Sequence, residues 1–295
     1  MTAVWATPSG QFLNHGIPNW VDLYTEDATK SQSFYSAVLG WSFRNRFSLN
    51  PVLSDDAEEA LETRSTVLVM CGGRPSAEII ERSELFADML VPSRWYPHLY
   101  TTDILTTLRA VQRAGGCVVR GPHDRGTMAT VATILDPTGA MLCLWQPKDQ
   151  PGNTMGNNNG ALAWMELKTN DVEAARRFYE RVFHWRPSVE PPKISTATVS
   201  VHHTSFSTAI GPIAGAVRSA DDAMAYWSPS FAVPDLKAAT MTALNHGALA
   251  VKPPYDVAIG RQCTIVDPEG AEFSLVGPRR AISAMHQQGR FRKTG

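Results

Sequence analysis

The sequence predicts an α+β protein of four βαβββ modules paired into two similar domains. Three observations carry this. The passage from Trp20 to Trp41 returns as Trp164 to Trp185, with Trp20/Trp164, Asp27/Asp171, Phe34/Phe178, Tyr35/Tyr179 and Trp41/Trp185 all 144 residues apart. Each half closes on the same phrase, Asp136-Pro137-Thr138-Gly139-Ala140 and Asp267-Pro268-Glu269-Gly270-Ala271. Between the halves, Gln146 to Gly160 is rich in Pro, Gly and Asn and has no periodicity, as a linker would be. The expected boundaries are a first domain over 1–147, a linker over 148–159, a second domain over 160–278 and a basic tail over 279–295.

Within each half the pattern repeats again. A strand, a capping Asp and a helix recur four times, with Asp27, Asp103, Asp171 and Asp235 placed to accept the free N–H groups of a first turn. After Asp171 the apolar residues Val172, Ala175, Phe178, Tyr179 and Val182 follow helical spacing. Gly115-Gly116 and Gly247 predict the stops of the second and fourth helices. The Asp-Pro-x-Gly phrases read as turns between strands, because Pro presets φ and Gly tolerates positive φ. Their flanks, Ala129–Leu135, Met141–Trp145, Cys263–Val266 and Glu272–Val276, are short and strand-like.

Composition narrows the function classes. The net charge is −1, so no basic excess points to nucleic acid or an anionic membrane. The four cysteines, Cys71, Cys117, Cys143 and Cys263, form no C-x-x-C pair and read as reduced thiols. Met1 to Gly10 lacks a basic start followed by an apolar run, and no stretch reaches the ~20 apolar residues of a membrane span. The expectation is a cytoplasmic protein, monomer or homodimer, whose partner is a small molecule.

Four βαβββ modules carrying D-x-x-x-x-x-x-F-Y-x-x-x-[LF]-x-W and D-P-x-G-A resemble the vicinal oxygen chelate superfamily. That group includes glyoxalase I, bleomycin-resistance proteins, fosfomycin-resistance enzymes and extradiol dioxygenases. The resemblance covers 16–147 and 160–278, and the Pro18-Asn19-Trp20-Val21-Asp22-Leu23 start is similar to two-domain actinobacterial glyoxalase-like proteins. It implies that each domain curls a mixed sheet into a cup. In metal-dependent members, His, Glu or Gln side chains on that cup chelate one divalent ion. The first ligand stands seven residues before the helix-capping Asp, where this chain has Trp20, Tyr96, Trp164 and Ser228. The closing glutamate follows Asp-Pro-x-Gly, where this chain has Cys143 and Ser274. Indole cannot ligate, and neutral Ser and Tyr ligate poorly. The departure implies no catalytic metal and no cofactor.

Strand parity supplies other candidates, since residues two apart share a face. If Trp20 faces the first cup, so do Asp22 and Tyr24; if Tyr96 does, so do His98 and Tyr100. Asp22 and His98 then form either an acid–base couple or a structural ion pair. In the second half Glu166 and Lys168 go with Trp164, and Ser230 with Ser228. Glu166 is either a general acid or the partner of Lys168 or a loop arginine. Trp20 and Trp164 are either stacking walls for a flat ligand, extended by Tyr24, Tyr96, Tyr100, Trp41, Trp145 and Trp185, or plugs of a closed cup. His123 and Arg125 fall in a predicted loop before a late strand. Cys143 reads as an inert thiol, with no base or helix N-terminus visible to activate it. The acidic run 54–62 is either a lid or a solvated loop.

These residues predict metal-independent acid–base chemistry on a small apolar or aromatic metabolite: cyclisation, isomerisation, elimination or hydration in secondary metabolism. The alternative is sequestration of a toxic metabolite. A metal-dependent lyase or dioxygenase needs ligands the sequence does not offer.

Overall fold

The computed structural model describes residues 15–46, 66–81, 93–152, 155–189, 203–220, 223–250, 253–257 and 259–278. The acidic run 54–62 and the tail 279–295 lie outside them. The first module is β1 (Pro18–Thr25), α1 (Ala28–Leu39), β2 (Ser42–Arg46), β3 (Thr66–Cys71) and β4 (Arg74–Glu81). The second is β5 (Arg94–Tyr100), α2 (Ile104–Arg113), β6 (Cys117–Arg125), β7 (Ala129–Leu135) and β8 (Met141–Pro147). The third is β9 (Leu162–Thr169), α3 (Val172–Phe183), β10 (Arg186–Val189), β11 (His203–Thr208) and β12 (Gly211–Arg218). The fourth is β13 (Tyr226–Ala232), α4 (Leu236–Asn245), β14 (Leu249–Ala250), β15 (Tyr255–Val257), β16 (Gly260–Val266) and β17 (Glu272–Gly277). The extra β15 is a short strand paired with β16.

Each pair of modules makes one mixed sheet, as the repeats predict. The orders are β2-β3-β4-β1-β5-β8-β7-β6 and β10-β11-β12-β9-β13-β17-β16-β14. The first strands of paired modules meet antiparallel at the centre, β1 on β5 and β9 on β13. All four helices start as the sequence indicates. The Asp27, Asp103, Asp171 and Asp235 side chains each accept the N–H three residues on.

One core joins the domains. Val21 and Leu23 of β1 and Met165 and Leu167 of β9 share it with all four helices. The alternate residues of the same strands face away, and Trp20 belongs to a small separate cluster with Val131 and Trp145. This period-2 split creates the cups.

The repeated landmarks are clasps between domains. Tyr35 donates to Asp267 at 2.8 Å, and Tyr179 donates to Asp136 at 2.8 Å. The other oxygen of each Asp organises its own turn, accepting N–H from Thr138 and Ala140 or from Glu269 and Ala271. The Asp-Pro-x-Gly motif is therefore both a strand turn and one half of a cross-domain bond. Trp41 donates to the Gly160 carbonyl at 2.9 Å, and Trp185 donates to that of Gly16 at 3.0 Å. This corrects the expected role of Trp41 and Trp185: they pack in the joint core, not on a cup wall. Each indole follows a left-handed helix C-cap, Gly40 with φ +68° or His184 with φ +57°, where the chain leaves the helix and the ring enters the joint core.

Gly160 has φ +77°, and an added Cβ would stand 2.7 Å from both the Leu39 carbonyl oxygen and Trp41 Nε1. A left-handed backbone and two clashes act together. Gly160→Ala is expected to lower stability by about 2–4 kcal/mol by prying the clasp apart. Denaturant midpoints of the two proteins measure it.

Candidate active site

The first cup brings Asp22 and His98 together. In the β1–β5 register Trp20 stands opposite His98, and Asp22 stands opposite Tyr96. The diagonal pair closes, with His98 Nε2 2.8 Å from Asp22 Oδ2. Asp22 also accepts from Trp20 Nε1 at 2.9 Å and from Arg125 Nη1 at 2.8 Å. Burial pushes the Asp22 carboxyl up. Arg125 and His98 outweigh it and hold the group well below the usual carboxylate range. An ionised carboxylate only accepts, so the Nε2–H of His98 points at Asp22. His98 Nδ1 has no hydrogen-bond partner among the described residues, although the side chain is 1% exposed.

Two groups complete this cluster: Glu78, which sequence reasoning missed, and Arg125, which it placed in a loop. Glu78 on β4 stands beside Asp22 in the parallel β1–β4 register. Arg125 ends β6 and bridges the carboxylates, its Nη2 bonding Glu78. The two carboxylates raise the Arg125 guanidinium further above its ordinary value against the opposing effect of burial. The signal for Glu78 was a lone charge among the apolar residues Ala77, Ile79 and Ile80. His123 and Arg125 were expected in a loop; they are part of β6, which pairs with β7 as far as Arg125↔Ala129.

Aromatic groups line the rest of this cup. Trp20 and Trp145 stack with centroids 5.2 Å apart, and His98 meets Trp145 edge-on at 5.4 Å. Both indole N–H groups are used internally, by Asp22 and by the Gln150 carbonyl. Tyr24 and Tyr96 form an edge-to-face pair at 5.3 Å. Half-buried Tyr100 stands opposite Trp145. Cys143 stands opposite His98, but burial pushes its thiol up to about 12, which suppresses the nucleophilic thiolate.

The second cup is polar in a different way. Glu166 accepts from Tyr255 at 3.3 Å and from Gln262 at 3.1 Å, and Ser230 donates to Gln262 at 3.2 Å. Burial, then the Glu166 charge, raises the Tyr255 phenol. Ser274 shares a hydrogen bond with Thr264 at 3.1 Å. Ser228 stands opposite Glu166, and its hydroxyl has no partner among the described residues. Trp164 is fully buried beside them. Glu166 and Lys168 were one expected pair. Lys168 instead bonds Glu272, which also accepts from Tyr226 at 3.1 Å. The aliphatic reach of Lys168 carries its ammonium to the next strand pair, and amide and phenol donors serve Glu166.

Comparison with known proteins fits this architecture domain by domain. Residues 17–144 match the family model of the Glyoxalase/Bleomycin resistance protein/Dioxygenase superfamily, and residues 164–276 match that of a Glyoxalase-like domain. The chain belongs to the glyoxalase superfamily of vicinal oxygen chelate folds. DauV of Streptomyces sp. strain C5, named an anthracycline biosynthesis protein, is 29% identical over 276 residues, 91% of this chain and 96% of its own. CFP32 of Mycobacterium tuberculosis, provisionally named a glyoxylase, is 27% identical over 289 residues, 92% of this chain and 98% of its own. The 2,3-dioxygenase LapB of Pseudomonas sp. KL28 superposes with a TM-score of 0.61 at 14% identity, covering 90% of this chain and 94% of that one. That likeness establishes the shared fold.

In the first cup the described residues at the superfamily's metal positions give a divalent ion no fitting donor set. The positions it would use in the first cup present an indole, a phenol and a thiol held protonated. Asp22 and Glu78, one step along their strands, are already bridged by Arg125. Among the described residues no group of three or more His, Cys, Asp or Glu side chains is arranged to hold an ion, and no helix is long and apolar enough to cross a membrane.

Proposed function

We propose that this glyoxalase-superfamily protein is an enzyme of secondary metabolism that performs metal-independent acid–base chemistry on a small apolar or aromatic molecule in its first cup. One observation carries the reading: a buried histidine whose Nε2 is fixed by an ionised carboxylate and whose Nδ1 has no partner among the described residues. A carboxylate in this place sets the tautomer and stabilises the imidazolium formed when the other nitrogen takes a proton. His98 Nδ1 then serves as the base, and Asp22 orients it without itself taking the proton. Tyr24 and Tyr100, partly exposed on the cup face, supply flat surfaces for an aromatic substrate, backed by the buried Trp20–Trp145 stack. Isomerisation, cyclisation, elimination and hydration all need this proton movement. The relationship to DauV favours a biosynthetic setting. In the second cup Glu166 is the candidate acid–base group, with Ser228, Ser230 and Ser274 as polar contacts and Trp164 as the stacking wall.

Sequestration is the second reading, favoured by the partly exposed rings of Tyr24 and Tyr100 on the cup face, which can hold a flat ligand without chemistry. The experiment that separates the two is incubation of chelator-treated protein with a metabolite extract of the cells that make it, followed by mass spectrometry. New product masses without added metal support the enzyme. A compound bound and released unaltered makes the protein a binder. Products appearing only when a divalent metal is restored contradict metal independence.

A further inference from the structure

We propose that the first cup is a binding site for an organic cation, a guanidinium or primary ammonium group on an apolar body, and that Arg125 is its built-in competitor. The inference rests on the reading of this cup as the ligand site and names the charge of what enters it.

The cup's fixed parts attract a cation. Asp22 and Glu78 stand side by side on β1 and β4, strands in the interior of the sheet, and both are buried. Trp145, Trp20, Tyr24 and Tyr96 share the same face. Buried carboxylates beside aromatic rings are the usual surroundings of a bound organic cation. The cation that meets both carboxylates in the structure is the guanidinium of Arg125, which lies 6.0 Å from the centre of a Trp145 ring.

Arg125 differs from the groups it bridges. It ends β6, the edge strand of the sheet, whose pairing with β7 shifts register twice. Gly126 follows it with φ +57°, a turn away from the sheet. Its side chain is 18% exposed, against 4% for Asp22 and 1% for Glu78. The negative half of the site is therefore built into the sheet, whereas the positive half reaches in from the rim. The carboxylates bind two different nitrogens of one planar fork. That spacing suits a guanidinium or an ammonium with several donors, and among the described residues no cluster converges on a point ion.

The test compares phenylguanidinium with phenylurea, its neutral counterpart, by calorimetry and tryptophan fluorescence on the full chain. Arg125→Gln removes the competitor and is expected to bind phenylguanidinium at least about tenfold more tightly than wild type does, with phenylurea changed less than about twofold. Glu78→Gln, which keeps Arg125 on Asp22, guards against a folding failure of the first variant. It is expected to bring any wild-type preference for the cation to within about twofold. Equal binding of the two probes by Arg125→Gln overturns the cationic ligand and leaves the acid–base reading standing. Binding of manganese ion by Arg125→Gln, with none of phenylguanidinium, overturns it in favour of a point ion. No binding of either probe to any of the three proteins also overturns it, while the effect of His98 substitutions on turnover judges the acid–base reading separately.

Discussion

Asp22→Asn is expected to lower stability at neutral pH by about 3–5 kcal/mol, the usual effect of breaking a buried charge pair from one side. The amide keeps the shape of the carboxylate but cannot hold Arg125 by charge, and it leaves His98 and Trp20 with a weaker acceptor. The pH dependence makes the prediction specific. The folded carboxyl of Asp22 titrates below its unfolded value, so its stabilisation is complete above the ordinary carboxylate range near ~4 and drains as pH falls through the depressed folded value. Asp136 and Asp267 act with the opposite sign, because burial raises their folded carboxyls and the folded state binds those protons more readily. Melting temperatures of wild type and Asp22→Asn are therefore expected to differ most near neutrality and to converge in acid. A difference that stays constant down to the lowest folded pH would show that the ionisation of Asp22 does not carry its contribution.

His98→Gln is expected to reduce turnover by about 10²–10⁴-fold while substrate binding stays within about tenfold. The amide can still donate to Asp22, so the Asp22–Arg125–Glu78 bridge persists, but no group remains that accepts and returns a proton at the Nδ1 position. Steady-state and single-turnover rates on the substrate found in the extract check the split between kcat and KM. The same variant under the sequestration reading retains ligand and shows no rate to lose.

Much of this was legible in the sequence because the signals are local. The capping Asp residues and the Asp-Pro-x-Gly turns act within a few positions, so the repeat mapped directly onto four modules. Strand parity placed Trp20, Asp22 and His98 on one face, because the period of two survives any tertiary arrangement. Partners set by distant segments were hidden. Arg125 reaches Asp22 across 103 residues of chain, and Tyr35 reaches Asp267 across 232. Both ends of the Tyr35 pair were visible as motifs, yet nothing local says that a helix of one domain bonds a turn of the other. Trp41 and Trp185 failed for the same reason. An indole just past a helix C-cap packs equally well on a cup or on a neighbouring domain until the domains are assembled. In the second cup Glu166 was visible, but Gln262 and Tyr255 join it only once β15 and β16 fold over β9.

The most direct measurement of the central claim is solvent proton exchange. Chelator-treated wild type and His98→Gln would be given the same substrate in deuterium oxide, and product and recovered substrate examined for carbon-bound deuterium by mass spectrometry and NMR. Proton transfer through His98 predicts deuterium at carbon with wild type, without added metal, and loss of that label by at least about a hundredfold in rate with the variant. Turnover and labelling at equal rates by both proteins would contradict it.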